Sequence, residues 1–242
     1  MKCVNTKYLN KLAAGVFLLG QTLGGAAFAA PVTLAGDTVN FSFDDALLGL
    51  FGPASVSGDT LYFTPVAFEA QSLNGAGFAL ANDTINIKVA AHDGWSFNRV
   101  DLIERGDYLL LGSGSTADVA GQLRVFDIAA PLTDTTASIA SLSPLNLSGV
   151  PTHNWDARAS ANLSAWEGTQ AINVTVENLL LASTSATSSL AFVEKKFVGL
   201  TPVMMAAAPV PEAETYAMML AGLGLVGFAA MRRRKAGKQS IL

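Results

Sequence analysis

The chain has 242 residues, 15 Lys plus Arg against 19 Asp plus Glu, a formal charge of −4 and one cysteine, Cys3. Between Ala30 and Pro209 the balance is far more acidic, with seven basic residues (Lys88, Arg99, Arg105, Arg124, Arg158, Lys195, Lys196) against seventeen acidic ones, a net −10. That charge excludes a nucleic-acid partner, since phosphate contacts need Lys and Arg.

The first residues read as an export signal. Lys2, Lys7 and Lys11 form a positive leader, Leu12 to Leu23 is apolar, and Ala27-Phe28-Ala29 offers a small-x-small cleavage site. Cleavage after Ala29 is favoured over Ala30, because Pro31 would then follow the scissile bond. Residues 1–29 are thus assigned as signal peptide. Cys3 lies in the positive leader and not at the end of the apolar run, which argues against a lipoprotein anchor. Its removal leaves a mature chain without a disulfide, a thiolate metal site or a cysteine nucleophile.

Residues 30–200 read as one antiparallel β-sandwich, jelly-roll-like in spacing. Strands are expected at Thr38–Phe43, Thr60–Phe68, Thr84–Val89, Trp95–Glu104, Asp107–Leu111, Gln122–Ile128, Trp155–Ala165, Ala171–Glu177 and Leu190–Val198. The longest alternation puts Trp155, Ala157, Ala159, Ala161, Leu163 and Ala165 on one face, and Asp156, Arg158, Ser160, Asn162 and Ser164 on the other. In Trp95–Glu104 the apolar parity changes between Phe97 and Val100, which predicts a β-bulge near Asn98-Arg99. Turn clusters fall at Ser57-Gly58-Asp59, Asn74-Gly75, His92-Asp93-Gly94, Arg105-Gly106-Asp107 and Gly112-Ser113-Gly114-Ser115. Asp107–Leu111 is accordingly expected as the return strand of a hairpin turning at Gly106. Asp44 to Phe51 can form one or two helical turns capped at Asp44. Residues 201–208 read as a spacer.

Catalytic equipment is sparse, and no enzymatic activity is expected. The two histidines, His92 and His153, fall in turn or loop positions, and no Gly-x-Ser-x-Gly elbow is present. Asp44 with Asp45, or Glu104 with Asp107, are the carboxylate pairs a glycosidase would need, at a separation that spacing alone does not show. No cofactor is expected; calcium is the minor alternative, with Asp93, Asp101 and Asp107 as weak ligands, although no Asp-x-Asp-x-Asp-Gly loop exists. Among the tryptophans, parity places Trp95 and Trp155 in the core. Trp166 falls on the polar face of its strand and is the candidate for stacking on a sugar ring.

The C-terminal residues carry the most specific signal. Val210-Pro211-Glu212-Ala213-Glu214-Thr215-Tyr216 precedes an uncharged run, Tyr216 to Met231, that ends in Arg232-Arg233-Arg234-Lys235. As a helix the run would be about 24 Å long against about 30 Å of hydrocarbon, so 216–231 is expected to cross a thinned bilayer with its basic end cytoplasmic, along with residues 236–242.

Residues 209–235 resemble the PEP-CTERM sorting signal of Gram-negative, exopolysaccharide-producing bacteria. The likeness is carried by Val210, Pro211, Glu212, Glu214, Thr215, Tyr216, Ala217, the glycine-rich Ala221–Gly227 and the basic cluster, with Ala213 where the second proline of the motif would stand. The resemblance implies recognition near Pro211-Glu212 by an exosortase and transit through the inner membrane. It also implies an end point at the cell surface, outer envelope or medium, in company with exopolysaccharide or biofilm. The expected function is therefore that of a non-enzymatic surface or matrix protein. The alternatives are a carbohydrate-binding module for the cell's own polysaccharide and a secreted hydrolase.

Overall fold

In the computed structural model, residues 31–166, 168–207 and 213–236 are described. The expected signal peptide, with its cleavage-site residues Ala27 and Ala29, lies outside them, as do Val210, Pro211 and Glu212. Twelve strands form one antiparallel sheet: β1 Val32–Ala35, β2 Val39–Phe43, β3 Ala54–Ser57, β4 Thr60–Phe63, β5 Glu69–Leu73, β6 Gly77–Ala91, β7 Trp95–Leu111, β8 Ser115–Asp127, β9 Asp134–Ser141, β10 His153–Asn162, β11 Ala171–Thr184 and β12 Leu190–Ala206. Helix α1 spans Ala213–Ala236.

The strand order is β1-β2-β6-β11-β8-β9-β10-β7-β12-β4-β3, with β5 alongside the first part of β12. β9 pairs with β8 along seven residues but with β10 only through Ala157↔Ser141 and Arg158↔Ala140. The sheet folds over at that narrow joint, so β11 packs across the core against β12. The result is nearly barrel-shaped, and the sandwich expectation is met by one bent sheet. The inner face carries the alternate apolar residues of long strands, such as Ile85, Ile87 and Val89 of β6 and Val174, Val176 and Leu180 of β11. An edge-to-face cluster of Phe43, Phe63, Phe51 and Phe68 fills the end beneath β4.

Several boundaries move, each for a physical reason. The hairpin expected at Arg105-Gly106-Asp107 does not exist. β7 runs straight through it, with Gly106 opposite Trp155 on β10 and Lys195 on β12. The glycine serves close packing there, not a turn: a Cβ at 106 would lie 1.8 Å from the Glu194 carbonyl oxygen and 2.7 Å from the Trp155 ring. The bulge predicted near Asn98 is present, since Val203 pairs with Arg99 while Met204 pairs with Phe97. A second bulge places Lys196 as the extra residue of β12 between Lys195↔Gly106 and Phe197↔Arg105.

The spacer 201–208 is corrected in the same way. Thr201–Ala206 are the end of β12, held by β7, because the pairing outlasts the apolar alternation. β10 stops at Asn162, whose side-chain oxygen accepts from the Ser164 amide and turns the chain. Strands β1, β3, β5 and β9 were not read from the sequence. Three of them are at most five residues long, and β9 is mostly Ala, Ser and Thr. The Asp44 cap is as expected, its carboxylate accepting from the Ala46 amide at 3.0 Å ahead of a single 3-10 turn, with a second turn at Gly49–Phe51.

α1 includes residues 216–231. Among the described residues no helix is long and apolar enough to cross a membrane. Within α1, Gly222, Gly224 and Gly227 interrupt the apolar run.

Candidate functional site

The second half of the sheet (β10, β7, β12, β4) gathers the chain's unusual chemistry on both faces. On the inner face the amine of Lys195 reaches Oε2 of Glu104 at 2.5 Å, and both side chains are wholly buried. The amine also sits 5.1 Å from the Phe68 ring centroid and 5.9 Å from that of Trp155. Oε1 of Glu104 has no hydrogen-bond partner. Burial holds the Lys195 amine below its ordinary pKa, and the Glu104 charge only partly offsets this. Trp155 is fixed above Gly106 by two hydrogen bonds, its indole N–H donating to the Asp107 carbonyl at 3.2 Å and to the Glu194 carbonyl at 3.1 Å.

The outer face carries an aromatic pair with charged neighbours. Tyr62 and Phe197 stack at 6.3 Å with rings 19° apart, and the Arg105 guanidinium covers Phe197 at 5.7 Å. Arg105 donates to Asp156 across the β7–β10 pairing at 3.2 Å. The bulged Lys196 reaches Asp107 at 2.5 Å and Glu194 at 3.4 Å. Its hydrogen bond to Asp107 is the largest cause of a pKa raised above the usual lysine value. Arg105, Asn154, Asp156 and Lys196 surround a shallow depression of about 480 Å³ over Gly106 and Trp155.

The residues singled out from sequence are dispersed. Trp166 lies beyond the end of β10 and is half-buried against the core, not on an exposed strand face. Trp95 is 36% exposed instead of buried, whereas Trp155 is in the core as expected. Asp93 is exposed in the β6–β7 turn. Asp101 is bonded to Arg99 and Ser160, and Asp107 to Lys196. No group of three metal-ligating side chains occurs among the described residues. The carboxylates of Glu104 and Asp107 are engaged by separate lysines, one inside and one outside. His92 Nδ1 lies 3.1 Å from the Asp37 carbonyl, and His153 packs beside Tyr108 with Nε2 buried and unpartnered.

Neither the Lys195–Glu104 pair nor the Tyr62–Phe197 pair was read from the sequence. Lys195-Lys196 looks like an ordinary solvated pair. Only its inward parity with Ala191 and Val193 hinted that Lys195 faces the core. Tyr62 and Phe197 are far apart in sequence and meet only through the β4–β12 pairing, in which Tyr62 is opposite Gly199.

Comparison with known proteins bears on the tail alone. A family profile described as the PEP-CTERM protein-sorting motif matches residues 209–235, and the chain therefore carries that motif. It contains Ala213, Glu214, Thr215 and Tyr216 at the start of α1, and Arg232, Arg233, Arg234 and Lys235 near its end. No curated protein matches the sequence. Among solved structures, TmCBM61 in complex with β-1,4-galactotriose is 13% identical with a TM-score of 0.23, over 73% of this chain and 90% of that one. Infectious bursal disease virus, Gt strain, is 10% identical with a TM-score of 0.19, over 67% of this chain and 47% of that one. TM-scores this low carry no weight for fold or function.

Proposed function

We propose that the chain is an exported, non-enzymatic protein of the cell surface or extracellular matrix, needing no cofactor and associated with exopolysaccharide or biofilm. The sorting motif at residues 209–235 carries this reading, since it implies export and processing by an exosortase. The motif begins three residues after β12 ends at Ala206, so processing near Pro211-Glu212 would leave the whole sheet intact. An acidic surface without cysteine suits an oxidising, extracytoplasmic setting. The tail would hold the protein at the inner membrane in transit, and the product would pass outward. Deleting the exosortase should retain the protein in the envelope with an uncut C-terminus. Unchanged distribution together with an unchanged C-terminal mass would refute the proposal.

The outer-face Tyr62–Phe197 pair favours a second reading, that the sheet binds the cell's own polysaccharide. A stacked aromatic surface suits the apolar face of a sugar ring; Arg105 covers Phe197 and, with Asn154, Asp156 and Lys196, also lines the depression over Gly106 and Trp155, where donors and acceptors are supplied. Affinity electrophoresis through gels containing the polymer should retard the mature protein, and Tyr62→Ala should abolish the retardation. Equal mobility with and without polymer would eliminate this reading.

A further inference from the structure

The Lys195–Glu104 pair is unlike the other ion pairs described. Arg99–Asp101, Arg105–Asp156 and Arg124–Asp134 are exposed, and Lys196 is half in solvent, whereas Lys195 and Glu104 have no exposure at all. Burying two charges costs several kcal/mol per ion, and mutual attraction offsets this only when the remaining lone pairs are also bonded. Here Oε1 of Glu104 is left without a partner, and the surroundings of the amine are the rings of Phe68 and Trp155. A buried, neutral pair of amine and carboxylic acid is the reactive form for condensation. A neutral amide would also be far cheaper to bury than two ions. The two groups are held together by adjacent strands, so the reaction has the advantage of an intramolecular encounter.

We infer that Lys195 and Glu104 condense to a side-chain amide that covalently joins β12 to β7. The ammonium passes a proton to Oε2 through the 2.5 Å hydrogen bond, leaving a neutral amine and a neutral acid. The amine nitrogen then forms a bond to Cδ of Glu104. The Cδ–Oε2 bond breaks, and that oxygen, already carrying the first proton, takes a second from the amine and leaves as one water molecule. No oxidant or activating co-reactant enters the balance.

The position suits a mechanical staple. β12 leads directly to the sorting tail, so tension on an attached C-terminus would enter the fold along β12. An amide at Lys195 would stop that strand from peeling away from β7. It would join residues 91 apart in the sequence, in a mature chain that has no cysteine for a disulfide. The crosslink does not depend on how the tail is processed.

Intact-mass measurement of the mature protein recovered from cells, denatured before analysis, tests this directly. The expected mass is one water molecule below that of the sequence, with a branched tryptic peptide linking Lys195 to Glu104. In denaturing gels the looped wild-type chain should run ahead of Lys195→Arg, which keeps a cation but cannot form the amide. The full sequence mass, with Lys195 and Glu104 recovered in separate linear peptides, would overturn the inference. So would a deficit of one ammonia, which would mean that a side-chain amide and not the Glu104 carboxyl had reacted. Because the wild-type mass decides the question, the outcome does not depend on any variant folding.

Discussion

Gly106→Ala is the sharpest test of the packing around Trp155. The added methyl would point to the inner face, 1.8 Å from the Glu194 carbonyl oxygen and 2.7 Å from Cε2 and Cζ2 of Trp155. Neither neighbour is the free end of a flexible side chain. The carbonyl belongs to β12 beside its bulge, and the indole is buried and held by two hydrogen bonds. Overpacking a filled core costs about 1–3 kcal/mol. Displacing the indole would leave buried polar groups unpaired, about 1–3 kcal/mol more. The expected loss is therefore about 2–6 kcal/mol, a large share of the 5–15 kcal/mol typical of a domain.

Urea unfolding of the mature protein, followed by tryptophan fluorescence and circular dichroism, measures this as a lower midpoint at unchanged slope. Gly94→Ala is the matched control, because it sits at φ +82 in a turn with no atom within 4 Å of its Cβ position. It should cost about 1 kcal/mol from backbone strain alone. Combining Gly106→Ala with Trp155→Leu should recover only the part due to the indole, since the carbonyl clash remains. A Gly106→Ala protein within about 0.5 kcal/mol of wild type would refute the close-packing account and revive the turn reading of this glycine.

Other expectations follow from single side chains. Asp59, in the β3–β4 turn, accepts from the Thr38 amide at 2.8 Å and from its hydroxyl at 2.5 Å, fastening the β1–β2 turn. Asp59→Ala should lower stability by about 1–2 kcal/mol, with amide exchange rising first at Thr38, and unchanged exchange there would contradict the tether. Lys196 has a raised pKa in the folded state, so its contribution is present below the unfolded value of 10.5 and lost as pH climbs through the folded value. Solvent screening keeps that contribution below about 1 kcal/mol. The stabilities of wild type and Lys196→Met should thus differ slightly at neutral pH and converge in strongly alkaline buffer; a gap widening with pH would reverse the assignment.

Much of the fold was legible because burial on one face imposes a period of two. That period marked the segments later found as β2, β4, β6, β7, β8, β10, β11 and β12, and its interruption located the Asn98 bulge. The signal failed wherever a residue answered to a partner far along the chain. Gly106 has the local look of a turn residue between Arg105 and Asp107, and only the approach of Trp155 and Glu194 from neighbouring strands explains it. Trp95 lies on the core parity of β7, yet at the strand's end the opposing layer no longer covers it.

The sorting motif at residues 209–235 was readable because such a signal acts as a linear order of motif, apolar run and basic cluster, and no folding is needed to bring its parts together. Sequence alone likewise determined the acidity of residues 30–209, their lack of cysteine and their β-rich character, all of which are sums or periodicities along the chain. Tertiary structure alone decided that one sheet bends over at β9 and that Lys195 meets Glu104 in the core. It also decided that Tyr62 meets Phe197 outside. Each of these depends on strand register between distant segments, and register is settled by the collective packing of the two sheet halves, which no local pattern encodes.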